Sequence, residues 1–280
     1  MGSESTHITI AHSPDADDAF MFYGLATGKV GTPGIRYEHM LKDIQTLNEW
    51  AMEGRHHVTA FSVHAYAYLT DKYLLLRSGA SMGEKDYGPI VVAREPYPVA
   101  ELKRRTIAIP GKLTTAALVL QLALPGVRTI IMPFDAILPA VAEGEVEAGL
   151  LIHEGQLTYA AAGLHNCLSL GAWWHERHGL PLPLGANGIR RDINLALRRQ
   201  IAGDIRASID YALAHRDEAL THCRQFARDL PTNLLDRFVG MYVNRRTQTM
   251  QGEEEQAIRT LLAEGANCDL LPIKIAIEFA

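Results

Sequence analysis

Short apolar runs alternate with stretches of helical period along most of the chain. The runs HITIA (7–11), IRYEHM (35–40), HVTAFS (57–62), YLLLRS (73–78), PIVVA (89–93), TIAIP (106–110), TIIMP (129–133), AGLLIH (148–153) and NCLSL (166–170) read as strands. They are rich in β-branched residues and bounded by Gly, Pro, Asn or Asp. Helices are predicted to begin near Asp17, Asp43, Val63, Thr114, Asp135 and Gln156. Strands that alternate with helices place the chain in the α/β class, with mainly parallel strands. After Arg190 the texture changes. Residues 194–264 lose strand signals and show apolar positions such as Ile201, Ile205, Ile209 and Leu213 at every fourth place, the mark of a charged helical segment packing back on the first lobe.

Two stretches, GPIVVAREPYP (88–98) and LPLGANGIRR (182–191), pair extended backbone with Gly or Pro and bracket the middle of the chain. They predict a discontinuous first lobe, 1–92 with 190–280, and an inserted second lobe, 93–189. In open α/β sheets ligands lie beyond the carboxyl ends of strands, so the strand-to-helix loops are where chemistry is expected.

Three such loops carry suitable residues. The first holds Ser13, Pro14, Asp15, Asp17 and Asp18 directly after the first strand. Three readings are open there: a cation site, a helix cap on Asp17 or Asp18, and a loop that shapes a ligand cleft. D-A-D-D lacks the glycine and distal glutamate of a calcium loop, whereas Asp is among the best N-cap residues. The second loop, IPGKLTTAALVLQLAL (109–124), places Gly111, Lys112, Thr114 and Thr115 before an uncharged helix. Unpaired first-turn N–H groups at the positive end of a helix make a receptor for carboxylate or phosphate; equally, Thr114 caps its own helix. The glycine spacing is not that of a Walker A loop. The third, GLLIHEGQLTY (149–159), delivers His153 and Glu154 at the end of an apolar strand. Histidine titrates near neutrality, so His153 is a candidate general base, with a structural strand-end histidine as the alternative. Ser62 and His64 follow another strand. His175 and His178, with Glu176 between them, have an i,i+3 spacing that can bind metal but lack the i,i+4 zincin geometry and a third ligand. Trp173 and Trp174 read as cover over a lobe junction. No GxSxG elbow, no GxGxxG after the first strand and no cysteine nucleophile signature occurs.

Composition narrows the class. With 280 residues, 48% of them apolar, the chain can build two lobes. A net charge of −5 argues against a nucleic-acid groove. Three separated cysteines, Cys167, Cys223 and Cys268, fit a reducing compartment. The start MGSESTHITI has no signal-peptide core and no stretch is long enough to span a bilayer, so a cytoplasmic protein without membrane insertion is expected. Gly2 and Thr6 match the myristoylation pattern, which is short enough to arise by chance.

Taken together, SPDADDAFMFYGL, DIQTLNEWAMEGRHHVTAFSVHAYAYL, LRSGASMG, IPGKLTTA, ILPAVAEGEVEAGLLIHEGQLTY, LGAWWHERHGLPLPLGAN and YALAHRDEAL resemble, in order and over essentially the whole chain, the 1,4-dihydroxy-6-naphthoate synthases of the futalosine route to menaquinone. The resemblance implies a periplasmic-binding-protein-like (type II) fold of two α/β lobes on a two-segment hinge. It implies a lyase that converts cyclic dehypoxanthine futalosine to the naphthoate with release of dihydroxyacetone. His153 matches the family's catalytic histidine; Ser13, Asp15, Asp17, Ser62, Gly111, Thr114, Thr115, Ile152, Glu154 and Asn187 are the implied substrate-binding positions. Thr114 and Thr115 would anchor the aromatic carboxylate through hydroxyls and first-turn amides. No metal or organic cofactor is implied; the partner is a small-molecule carboxylate, and a homodimer is left open. The first loop departs from the family's usual S-P-C-P-N-D-T: Asp17 stands in place of a neutral Asn, which is repulsive toward an anion unless the carboxylate turns away, caps a helix or bonds substrate hydroxyls. Two other readings compete, a non-catalytic solute receptor and chorismate dehydratase, the pathway's sister enzyme of the same fold. The absent export signal disfavours the first, and the LLIHEGQLTY and GAWW segments disfavour the second.

Overall fold

The computed structural model describes residues 5–227 and 230–280; Gly2 of the myristoylation pattern lies outside the described residues. The strands are β1 (Thr6–His12), β2 (Ile35–Leu41), β3 (Val58–Ser62), β4 (Tyr73–Leu75), β5 (Ser81–Gly83), β6 (Ile90–Ala93), β7 (Thr106–Ile109), β8 (Arg128–Ile131), β9 (Ala148–Leu151), β10 (His165–Ser169) and β11 (Leu182–Arg190). They form two sheets, β2-β1-β3-β11-β4 with β5, and β10-β6-β9-β7-β8.

The sheets are mixed, not mainly parallel. β1 runs parallel to β2 and β3, and β7 parallel to β8 and β9, but β11 is antiparallel to β3 and β4, and β6 antiparallel to β9 and β10. A run of buried apolar residues reads the same in either direction, so strand sense is absent from the pattern. β11 is a full strand although Pro183, Gly185 and Gly188 dilute its signal. One glycine is required by packing: a Cβ on Gly188 would lie 2.4 Å from the Phe61 ring.

The chain divides into two compact units. The first comprises Met1–Ser81, Gly185–Gly252 and Lys274–Ala280; the second comprises Met82–Leu184 and Glu253–Ile273. The first passage between them falls at 81/82, ahead of the 88–98 stretch from which the sequence reading placed it. The segment Glu253–Ile273, assigned from sequence to the first lobe, belongs to the second unit. Packing explains this: a Cβ on Gly265 would lie 2.5 Å from Leu271 and 3.4 Å from Leu118, and Glu264 accepts from Arg177 at 3.2 Å and meets His178 Nε2 at 3.1 Å.

Within the first unit, helix Leu195–Ala214 buries Ile201, Ile205, Ser208, Ile209 and Ala212. Leu213 is only half-buried, because a repeat of four drifts off a face that recurs every 3.6 residues. In the second unit, helix Phe134–Glu143 packs Ile137 and Val141 onto β9, where a Cβ on Gly149 would lie 2.4 Å from Ile137. No helix among the described residues is long and apolar enough to cross a membrane.

Candidate functional site

Each unit gathers its candidate residues where two parallel strands end side by side. In the first unit these are β1 and β3, followed by Ser13–Asp18 and by Ser62–His64. In the second they are β7 and β9, followed by Gly111–Thr115 and by Ile152–Glu154.

Helix Ala16–Met21 begins earlier than expected: Asp15, not Asp17 or Asp18, holds the N-cap position, and its side chain makes no capping bond. Asp18 instead reaches back, its Oδ2 accepting from Ser13 N–H at 2.8 Å, while Ser13 Oγ accepts from Asp15 N–H at 3.3 Å. Ser13, Asp15 and Asp17 are all buried. Asp17 Oδ1 has no hydrogen-bond partner among the described residues. Burial, then the neighbouring charges of Asp18 and Asp15, push the Asp17 carboxyl well above the usual carboxylate range. A carboxyl that is easier to protonate is less repulsive toward an anionic ligand than an ordinary aspartate.

A histidine pair, His12 buried and His39 half-buried, stands behind this loop. His12 Nδ1 donates to the Ser13 carbonyl at 2.9 Å, so His12 Nε2 must accept, and His39 Nδ1 donates to it at 3.0 Å. Burial pushes both rings down to about 4, aided at His39 by the charges of His12 and His222. The pair is neutral at pH 7 and holds the Ser13 carbonyl in place.

Asp17 makes a pH-dependence prediction. Its folded carboxyl binds a proton more tightly than an unfolded Asp, near 3.9, so the native state carries the extra proton and stability falls as pH rises from that value toward the folded one. Asp17→Asn removes this loss. The variant is therefore expected to be more stable than the parent at neutral pH, with the gap closing toward pH 4, as read from urea denaturation across pH. A gap that widens on acidification would show Asp17 to be ionised.

Ser62 occupies the N-cap position of helix Val63–Tyr66 without capping it. Asn48 takes both of its groups: Ser62 N–H donates to Asn48 Oδ1 at 2.8 Å, and Asn48 Nδ2 donates to Ser62 Oγ at 3.1 Å. Asn48, fully buried on helix Ile44–Met52, was missed from sequence. Its signal was a polar residue on an apolar face, between Leu47 and Ala51. His64 is buried beside Tyr68. Asn187 sits on β11 opposite Ala60, with Nδ2 donating to the Gly79 carbonyl at 2.9 Å and Oδ1 unpartnered among the described residues. Gly79, at φ +87, would place a Cβ 2.3 Å from that amide, so only glycine fits.

In the second unit, Thr114 caps helix Thr115–Ala123, its Oγ accepting from Ala117 N–H at 3.2 Å. Both threonine hydroxyls donate to backbone, Thr114 to the Gly111 carbonyl at 2.9 Å and Thr115 to the Leu184 carbonyl at 2.5 Å. Hydroxyl protons are thus committed within the protein, and the donors this helix start can offer an anion are its first-turn amides. Gly111 is buried and Lys112 exposed.

β9 ends at Leu151, and Ile152, His153 and Glu154 follow it half-buried. His153 has φ 53, the left-handed region, which costs a residue with a Cβ about 1–2 kcal/mol. Its imidazole meets the Phe134 ring edge-on at 5.1 Å. The reversal of the chain at His153 ends the strand alternation, and Glu154 becomes the N-cap of helix Gly155–Thr158. Strain of this kind concentrates at functional positions.

The HERH segment is structural: Trp174 is fully buried, donates to the Pro181 carbonyl at 2.9 Å and packs on His178, which pairs with Glu264. Trp173 lies under Arg177. No group of three or more His, Cys, Asp or Glu side chains among the described residues is arranged to hold a metal ion.

Among known proteins, a 1,4-dihydroxy-6-naphtoate synthase of Thermus thermophilus is 44% identical over 257 residues, 92% of this chain and 93% of that protein. Another of the same name from Streptomyces coelicolor is 35% identical over 272 residues, 95% of each chain. A crystal structure of an Archaeoglobus fulgidus protein superposes with a TM-score of 0.91 at 45% identity, covering 95% of this chain and 98% of that one. The alkanesulfonate-binding protein of Xanthomonas axonopodis pv. citri superposes with a TM-score of 0.73 at 14% identity, covering 99% and 98%, and so shares the periplasmic-binding-protein fold alone. The family model for menaquinone biosynthesis matches residues 8–267, and this chain belongs to that family.

Proposed function

We propose that this chain is a cytoplasmic carbon–carbon lyase that converts cyclic dehypoxanthine futalosine to 1,4-dihydroxy-6-naphthoate and dihydroxyacetone. The observation that carries the reading is His153: a half-buried imidazole on a strained left-handed residue at a strand end, in a chain 44% identical over most of its length to a naphthoate synthase. Aromatisation with departure of a sugar-derived fragment needs a proton removed and a carbon–carbon bond broken, so one positioned base that titrates near neutrality is the minimum equipment.

In this reading His153 takes the proton. The first-turn amides of helix Thr115–Ala123 receive the aromatic carboxylate, which makes the anchor independent of the chain's negative charge. Within the first unit, Ser62, fixed by Asn48, and Asn187, Ser13, Asp15 and Asp17 are the further substrate-binding positions. Ile152 and Glu154 border the base.

The test is direct. Purified protein incubated with cyclic dehypoxanthine futalosine should yield naphthoate and dihydroxyacetone by mass spectrometry. Tight binding without conversion would return the chain to the class of solute receptors, and consumption of chorismate instead would move it to the dehydratase.

A further inference from the structure

Left-handed backbone at a residue with a Cβ persists only where the surroundings over-determine it, and at His153 the determinant is identifiable. The turn's own backbone bond, Gln156 N–H to the His153 carbonyl, is long at 3.4 Å. The Gln156 side chain supplies the shorter one, Nε2 donating to the same carbonyl at 2.8 Å. Its other end is equally committed: Gly88 N–H donates to Gln156 Oε1 at 2.9 Å. Because Gly88 offers only a donor and His153 only an acceptor, the orientation of this amide follows from chemistry. Gln156 is buried, and Gly88 itself has φ +143. Gly88 is held in turn: a Cβ on Gly88 would lie 3.5 Å from the Cα of Gly171, and Leu170 N–H donates to the next carbonyl, Pro89, at 2.9 Å. One side chain therefore ties a strained histidine to a second unusual backbone position seated on helix Leu170–His178.

We propose that Gln156 is the positioning residue of the reaction: by bridging Gly88 and the His153 carbonyl it fixes the left-handed turn that aims the imidazole. It does not touch the reacting atoms. This rests on the function proposed above, in which His153 is the base. A base displaced by about 1 Å loses roughly 10²-fold in rate even when its chemistry is intact.

The test is a double-mutant cycle with steady-state kinetics, together with an NMR titration of histidine-labelled protein in which the His153 signal is assigned by its loss in His153→Ala. Gln156→Met keeps the length and removes both bonds; kcat is expected to fall by ~10²-fold with KM held within about twofold. Made on top of His153→Ala, the same change should cost nothing further, because the group it aims is gone. The His153 ring should titrate at a shifted pH in Gln156→Met. Gln156→Glu keeps the Gly88 bond and loses only the donor to His153, so it should reproduce the kcat loss, and it serves as the test should the methionine variant not fold. Unchanged kcat, losses that simply add in the double variant, or an unmoved His153 titration would overturn the proposal. Should the unmutated protein fail to convert the futalosine substrate, the functional reading falls while the titration still decides whether Gln156 governs His153.

Discussion

Alanine in place of His153 is expected to lower turnover by at least ~10²-fold, the typical loss of a general base, with substrate affinity and fold nearly intact. Three features separate chemistry from stability here. The imidazole is only half-buried, and its edge-on contact with Phe134 at 5.1 Å is of a kind worth about 0.5–1.5 kcal/mol. Alanine pays the same left-handed penalty as histidine, so the turn is not relieved. Its carbonyl still accepts from Gln156, so the loop keeps its anchor. Steady-state kinetics beside thermal denaturation would check this. A variant that turns over at the parental rate would exclude His153 as the base, and one that unfolds would make it structural.

The second large effect is on stability. Gly171→Ala is expected to destabilise the protein by about 2 kcal/mol or more, because overpacking a tight contact costs typically 1–3 kcal/mol and here both obstructing atoms are backbone. The added methyl would lie 2.4 Å from the Glu84 carbonyl oxygen and 2.6 Å from that of Tyr87. Neither can rotate away as a side chain would, and the strand β6 follows a few residues on. The intrinsic helix preference for Ala over Gly, about 1 kcal/mol, acts in the opposite direction and is too small to win. Gly203→Ala isolates that smaller term. Gly203 is exposed in the middle of helix Leu195–Ala214 with nothing within 4 Å of an added Cβ, so this variant should be stabilised by up to about 1 kcal/mol. Opposite shifts in melting temperature are expected from the same substitution at two helical glycines. Since Gly88 lies against Gly171, Gly171→Ala should also lower turnover; two shifts of the same sign would refute the packing argument.

Much of this architecture was legible because each βα unit carries its own punctuation: an apolar run, a small or polar loop, then a helix. The loops after β1, β3, β7 and β9 were found that way. Strand direction was not legible, since burial alternation has no polarity. Nor was the attachment of Glu253–Asn267, which depends on how Gly265 meets Leu118 and Leu271, residues distant in sequence. At the first loop, three aspartates within four positions each had the chemistry of a cap, and only the backbone shows Asp15 in that place. The positions of Thr114 and Thr115 were readable, but the direction of their hydroxyl protons depends on carbonyls at Gly111 and Leu184. Asn48, Phe134 and Gln156 share one property: each acts on a candidate residue from another element or across a turn, and local pattern is blind to such pairs.

The interleaving of the two units has a consequence for synthesis. A ribosome adds roughly 5–20 residues per second, so Met82–Leu184 is complete several seconds before Glu253–Ile273, which finishes the same unit, has been made. The first unit waits longer still, for Leu75 N–H donates to the Glu278 carbonyl and Ala280 N–H to the Leu75 carbonyl, each at 2.9 Å. A nascent chain therefore carries two unfinished cores at once, their apolar surfaces open until the last helix and the strand-like end arrive. Such a chain completes both cores late rather than lobe by lobe, and apolar surface left open in this way is what makes partly made chains prone to aggregate.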